Sequence, residues 1–212
     1  EEIVVNARKR VEGVRLKNGE TLKADAVVVN GDVIDAWPSL LKCPGATSVG
    51  KKLARRPLSS SGFIILLGVN KSYPKLDHHN VFFSKDYRAE FNEIFKKKVP
   101  PTDPTIYVSV SARTDPTQAP QGKDNMFILG NTPPMQPNIS WSSEKEKYAD
   151  FIIDQLENRA LFELTKHIAC RRVFSPLDFA DHYYAHRGAI YGHASHSLWS
   201  IFRRPKNRSR RV

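Results

Sequence analysis

Residues 63–69, 79–84, 106–112 and 126–130 are β-rich, and the connections between them are mostly too short to hold a crossover helix. Strands joined in that way must pair largely antiparallel. The most apolar of them opens Phe63-Ile64-Ile65-Leu66-Leu67. Successive strand residues point to opposite faces, so Phe63, Ile65 and Leu67 share one side. Two readings of that side stay open, a plain sheet core and the lining of an apolar tunnel.

A helix is predicted over 144–164. Ser143 with Glu146 three residues on reads as a capping box, and Ala149, Ile153, Leu156, Ala160 and Leu164 form one apolar stripe that should pack on the sheet. A further strand is expected over 171–174. A second helix is expected over 177–186, opened after Pro176 and stopped by Gly188.

Ahead of the sheet, residues 14–17 and 21–24 flank Asn18-Gly19, a dipeptide that predicts a type I′ hairpin with both residues at positive φ. The continuous run Ala26-Val27-Val28-Val29-Asn30 predicts a strand buried on both faces of a layered α/β sheet. Residues 32–58 read as short helices and loops, with Trp37-Pro38 and Pro44-Gly45 as breakers. The fold class is therefore α/β in the α+β sense, a largely antiparallel mixed sheet backed by helices, with partial strands of a second domain at the ends.

Thirty-three lysines and arginines against 22 acids give a net charge of +11, which favours an anionic partner. Six of the cations fall in 203–211, and Lys51, Lys52, Arg55 and Arg56 form another cluster. Neither cluster is interleaved with stacking aromatics, so nucleic acid is not expected. Lys96-Lys97-Lys98, following Phe91 and Phe95, reads either as a contact for anionic lipid headgroups or as a solvated loop.

No run reaches the roughly 18 apolar residues of a membrane span. Cys43 and Cys170 form no CxxC pair, so reduced thiols are expected. The chain holds no GxGxxG, P-loop, GxSxG or HExxH motif, and no catalytic residue can be named from it. Asp178, His182 and His186 at helical spacing, with His193 and His196 beyond, lack the further ligand that would complete a metal set, so no metal is expected. His78 and His79, adjacent at the start of a strand, should point to opposite sides.

Several blocks recur in one order. They include 11–20 (VEGVRLKNGE), 24–32 (ADAVVVNGD), 60–63 (SSGF), 78–91 (HHNVFFSKDYRAEF), 103–108 (DPTIYV), 113–116 (RTDP), 188–192 (GAIYG) and 204–209 (RPKNRS). In that order the chain resembles bacterial and fungal phytoene desaturases and the related flavoprotein oxidases, isomerases and saturases that act on carotenoids.

The resemblance implies a two-domain FAD-dependent enzyme, of which this chain is an internal piece covering the substrate domain. Residues 1–31 would then be a partial flavin domain, 32–185 the substrate domain and 186–212 a return segment toward the flavin domain. The glycine-rich nucleotide motif would precede Glu1 and the C-terminal flavin segment would follow Val212. The piece alone is expected to bind FAD poorly and to be inactive. The resemblance also implies a hydrophobic polyene substrate and a cytoplasmic, peripherally membrane-associated protein.

By the same resemblance Asn30, Gly31 and Asp32 lie near the flavin, with Gly31 standing where similar enzymes carry Ala. Phe63, Ile65 and Leu67 line the substrate tunnel, and Gly188, Tyr191 and Gly192 lie near the ring.

Overall fold

The computed structural model describes residues 1–195 and 202. The basic cluster at 203–211, His196 and the 204–209 block lie outside the described residues. The chain divides into two compact units, one formed by Glu1–Ser59, Ala180–His186 and Tyr191–Val212, the other by Ser60–Phe179 and Arg187–Ile190. The compact units meet in sequence at 59/60, and the two helices after Asp32 pack together within the first unit.

In the first unit β1 (Glu2–Val5), β2 (Val11–Arg15) and β3 (Thr21–Lys23) form an antiparallel sheet in that order. The hairpin at Asn18-Gly19 is present with a different turn. Gly19 N–H donates to the Leu16 carbonyl at 3.0 Å and Leu16 N–H to the Glu20 carbonyl at 2.8 Å, and of the two turn residues only Gly19 (φ 87°) has positive φ. This is a three-residue loop with its left-handed position at the end, not a type I′ turn. The β1–β2 loop repeats it, with Lys9 at φ 60° in the left-handed place.

The strand expected at 26–30 does not form, and Val28 is 92% exposed. A strand buried on both faces needs ladder partners and cover, and no described residue pairs with this run. At Asp32 the chain turns into α1 (Val33–Leu40), whose N-terminus is capped by the Asp32 carboxylate accepting from Ile34 N–H at 2.8 Å. Pro38 lies inside this helix rather than breaking it. The helix ends two residues later, and the Pro38 ring fills the space over Gly50 of α2 (Pro44–Ala54), where a Cβ would come within 2.7 Å.

The second unit is a five-stranded sheet of β4 (Ser61–Val69), β5 (His79–Phe82), β6 (Ile106–Ser109), β7 (Asp124–Thr132) and β8 (Ile168–Phe174). Its order is β5-β6-β7-β4-β8, and every pairing is antiparallel, as the short connections require. A short helix α3 (Tyr87–Asn92), continued by a π turn (Glu93–Lys97), fills the β5–β6 connection. α4 (Trp141–Arg159) covers one face of the sheet, α5 (Leu164–His167) leads into β8, and α6 (Pro176–Tyr183) runs from this unit into the first.

α4 begins earlier than its sequence signals. Ser140, not Ser143, is the N-cap residue, Ser143 Oγ donates to the Ser140 carbonyl, and Glu146 is drawn to Arg171, so no capping box forms. The helix ends at Arg159 because Ala160 and Leu161 N–H both turn back to the Leu156 carbonyl. That turn leaves Ala160 exposed and brings Leu161 and Leu164 into the core. The stripe of Ala149, Ile153 and Leu156 is buried, joined by Trp141 and Ile152. α6 starts at Pro176 and stops at Tyr183, short of Gly188.

One buried ion pair fixes the far end of the sheet. Arg113 grips both oxygens of the fully buried Asp124 side chain at 2.7 and 2.8 Å, and also donates to the carbonyls of Leu76 and Tyr73. Tyr73 N–H donates to the same carboxylate at 2.8 Å. Burial by itself would raise the Asp124 carboxyl, but the hydrogen bonds from Arg113 and Tyr73 and the guanidinium charge outweigh it and hold the group below the ordinary carboxylate range.

Two predictions follow from these local features. Gly19→Ala should cost about 1 kcal/mol while Lys9→Gly should stabilise by up to about 1 kcal/mol, both read from urea unfolding; equal effects at the two sites would contradict the turn geometry. A carboxyl held low in the folded state contributes stability that is present above its unfolded value, near ~3.9, and lost as pH falls through the folded value. Asp124→Asn should therefore cost about 3–5 kcal/mol at neutral pH and flatten the loss of stability below about pH 4, measured as unfolding free energy against pH.

Candidate functional site: the open face of the five-stranded sheet

The pleat divides β4 between two environments. Phe63, Ile65 and Leu67 point at α4 and are buried with Ile106, Val108, Met126 and Ile128, the Phe63 ring standing 5.4 Å from Trp141 and 5.0 Å edge-on to Tyr148. Expected to line an apolar tunnel, in this unit they are core residues packed under α4. Ile64 and Leu66 face the other way.

The register shows what meets there. Leu66 lies opposite Phe127, Ile64 opposite Leu129, Phe127 opposite Ser109 and Leu129 opposite Tyr107. On the outer strands Val81 and His79 continue the row from Tyr107 and Ser109, and Phe174 continues it from Ile64. No helix of this unit covers the centre of this face, where Leu66 and Phe127 are each 37% exposed. A groove of about 460 Å³ is lined there by Leu66, Tyr107, Ser109, Ser111, Asn125 and Phe127 among others.

The two ends of the face differ. At Gly62 a Cβ would come within 3.0 Å of Leu129 and 3.1 Å of Ile190, with Phe179 at 3.9 Å, so apolar side chains roof this end. The Phe179 ring stacks near Phe174 at 6.5 Å. At the other end hydroxyls and amides gather. Asn125 Nδ2 donates to Ser111 Oγ at 2.7 Å, and Asn125 Oδ1 accepts from Ala112 N–H at 3.1 Å. Beside them His79 Nδ1 lies 2.7 Å from the Tyr107 hydroxyl. His78 and His79 do not diverge as expected, because His78 precedes the strand; their rings are 4.2 Å apart and His78 Nδ1 meets Thr114 Oγ1.

An apolar floor on rigid strands, roofed at one end and polar at the other, suits a long hydrophobic molecule.

The remaining expected site residues lie elsewhere. Asn30 and Gly31 precede α1, and both oxygens of Asp32 are occupied, one by Ile34 N–H and one by His186 N–H at 3.1 Å. Gly31 is not among the glycines at positive φ. Gly188, in the second unit, has φ 72° and backs onto the Pro176 carbonyl, where a Cβ would come within 2.1 Å; its own carbonyl accepts from Ser61 Oγ. It is a packing glycine. Gly192, in the first unit, accepts from Ser59 N–H at 2.8 Å, and Tyr191 is exposed.

The histidine spacing brings no metal set together among the described residues. Asp178 accepts from Ser175 and Lys145, and His186 pairs with Asp35 at 2.9 Å. No described helix is long and apolar enough to cross a membrane.

Sequence reasoning missed Leu66, Phe127 and Tyr107. A continuous apolar run carries no phase, but Ile106-Tyr107-Val108-Ser109 does, since its aliphatic members alternate with its hydroxyl-bearing ones.

No family model matches the chain. It is 40% identical over 186 residues to the 4,4′-diaponeurosporene oxygenase of Staphylococcus aureus strain USA300 and 39% identical over 185 residues to that of strain bovine RF122. Each alignment covers 87% of this chain and 37% of the relative, so the chain spans little more than a third of the length of these relatives. Its fold is similar to that of an oxidoreductase from Methanosarcina mazei, with a TM-score of 0.53 at 14% identity over 82% of this chain and 36% of that one. With the ordered blocks running along the chain and 40% identity over 87% of it, the chain is similar to a stretch of the 4,4′-diaponeurosporene oxygenases.

Proposed function

We propose that the protein oxidises a carotenoid and that this chain supplies the surface on which the polyene lies, the open face of the five-stranded sheet. The observation that carries this reading is the row of Ile64, Leu66, Tyr107, Phe127 and Leu129, apolar side chains held outward on fully paired strands. A conjugated chain is rigid and apolar, and a preformed flat floor binds it without loss of conformational freedom on the protein side.

The reaction we assign first is desaturation, in which an allylic hydride and a neighbouring proton leave and a conjugated double bond forms. FAD, the cofactor the resemblance implies, supplies the hydride acceptor when bound in the complete protein. This chain's residues bind the polyene and align it along the strands. A second reading, oxidation at the end of the chain, is favoured by the name of the staphylococcal relatives and by the polar end of the groove, where Ser109, Ser111 and Asn125 could receive an oxygenated terminus.

The complete protein, expressed in cells that make an acyclic polyene, should change the extracted pigment. Loss of two hydrogens per step with a red-shifted spectrum indicates desaturation, and a gain of oxygen without lengthened conjugation across the chain indicates the second reading. Leu66→Asp or Phe127→Asp should lower conversion at least about 10-fold with the unfolding midpoint unchanged, roughly 1.4 kcal/mol of lost binding. Ile65→Ala should instead cost about 2–5 kcal/mol of stability. Conversion unchanged in both charge variants would remove the open face from the site.

A further inference from the structure

Beyond the edge strand β5, the chain builds a surface that neither the sheet core nor the open face uses. Phe83 is 70% exposed, Tyr87 53% and Phe91 38%. Tyr87, Phe91 and Phe95 are spaced by four residues along α3 and its π turn and form a ridge, with ring centroids 4.5 and 5.5 Å apart. Around this ridge stand Lys85, Arg88, Lys96, Lys97 and Lys98, all exposed.

The exposure does not come from a loose loop. The inner side of the same helix is anchored by Ile94 and by the buried carboxylate of Glu90, which accepts from Ser84 Oγ at 3.0 Å, Thr105 N–H at 2.9 Å and Thr105 Oγ1 at 2.6 Å. Arg159, from the end of α4, donates to the carbonyls of Phe82, Phe83 and Pro104. Asp103 in turn accepts from Lys85 N–H at 2.7 Å. Large aromatic side chains are thus pushed outward by a base whose polar groups are all engaged.

The acids of the segment offset its rim only in part. Glu90 is inside, Asp86 caps α3 through Ala89 N–H, and Glu93 is held by Thr102 while pairing with Lys97 at 3.7 Å. Exposed Phe and Tyr flanked by exposed lysines is the composition of a membrane interface.

We propose that the segment from Phe83 to Lys98 docks the protein on an anionic lipid bilayer, with Phe83, Tyr87 and Phe91 entering the headgroup boundary and Arg88 and Lys96 to Lys98 meeting lipid phosphates. The surface joins the open face of the sheet, because Phe83 follows directly on β5 and continues the outward row of His79 and Val81. It therefore lies where a lipid-soluble substrate could pass from a bilayer to the sheet, a use that rests on the function proposed above, whereas the docking itself does not.

The test uses the full chain and vesicles of phosphatidylcholine with or without phosphatidylglycerol, in the absence of any polyene, so its outcome is independent of the carotenoid reading. The chain should sediment with the anionic vesicles and only weakly with the neutral ones, and added salt should release it. Joint Lys96→Gln, Lys97→Gln and Lys98→Gln should weaken anionic binding by about 5-fold per charge, on the order of 100-fold together. Phe91→Trp should keep binding and give indole fluorescence that brominated acyl chains quench. Equal binding of the lysine variant, an unquenched indole, or self-association of the chain through this surface would each overturn the proposal. The lysine variant changes only exposed side chains, so its loss of binding reads the surface and not the fold.

Discussion

The nine-residue pairing of β4 with β7 sets what every other part of the second unit can do. Ser61 meets Thr132 and Val69 meets Asp124 without a slip between them, so the side chains of both strands keep one phase from end to end. A shift of one residue would exchange Phe63, Ile65 and Leu67 for Ile64 and Leu66 against α4 and present the bulkier core set to the outside. The aromatic contacts of Phe63 with Trp141 and Tyr148 oppose that shift, because they exist only while the ring faces α4. Core and open face are therefore two sides of a single register.

The ends of this sheet are held by charge rather than by apolar packing. Asp124 begins β7 and carries the Arg113 guanidinium, which in turn holds the loop carbonyls of Tyr73 and Leu76. At the β5 edge Glu90 and Arg159 serve the same purpose for residues 82–84 and 104–105. Removing Arg113 would leave the fully buried Asp124 carboxylate without its counter-ion, which opposes any opening of the loop at Tyr73 and Leu76. Stiff loops matter on both sides of β5, since the polar end of the groove and the aromatic ridge are each built on one of them.

Much of this was legible in residues alone, and the failures have identifiable causes. Connection length gave the antiparallel sheet correctly, and the stripe of Ala149, Ile153 and Leu156 gave the covering helix. The caps of α4 misled because Glu146 is drawn to Arg171, a partner 25 residues away that no local motif announces. The left-handed turn at Lys9 carries no sequence signal, since lysine disfavours that conformation. The phase of Phe63 to Leu67 could not be read from an unbroken apolar run, and so the expected lining residues became the core. The ordered blocks nonetheless pointed to the family that the 40% identity supports.

Two apolar features stand outside the core, and they differ in physical kind. The run at 26–30 is hydrophobic but irregular, with Val28 almost fully exposed, so any ligand bound there would have to order backbone as well as side chains. The open sheet face has its backbone ordered already by pairing on both sides of β4, β6 and β7, and its side chains are mostly short or aromatic with few rotamers. Binding to such a floor costs only the freedom of the ligand, and a conjugated polyene has little to lose. That asymmetry is why the sheet face, and not the more hydrophobic run, is the surface on which a site can be argued.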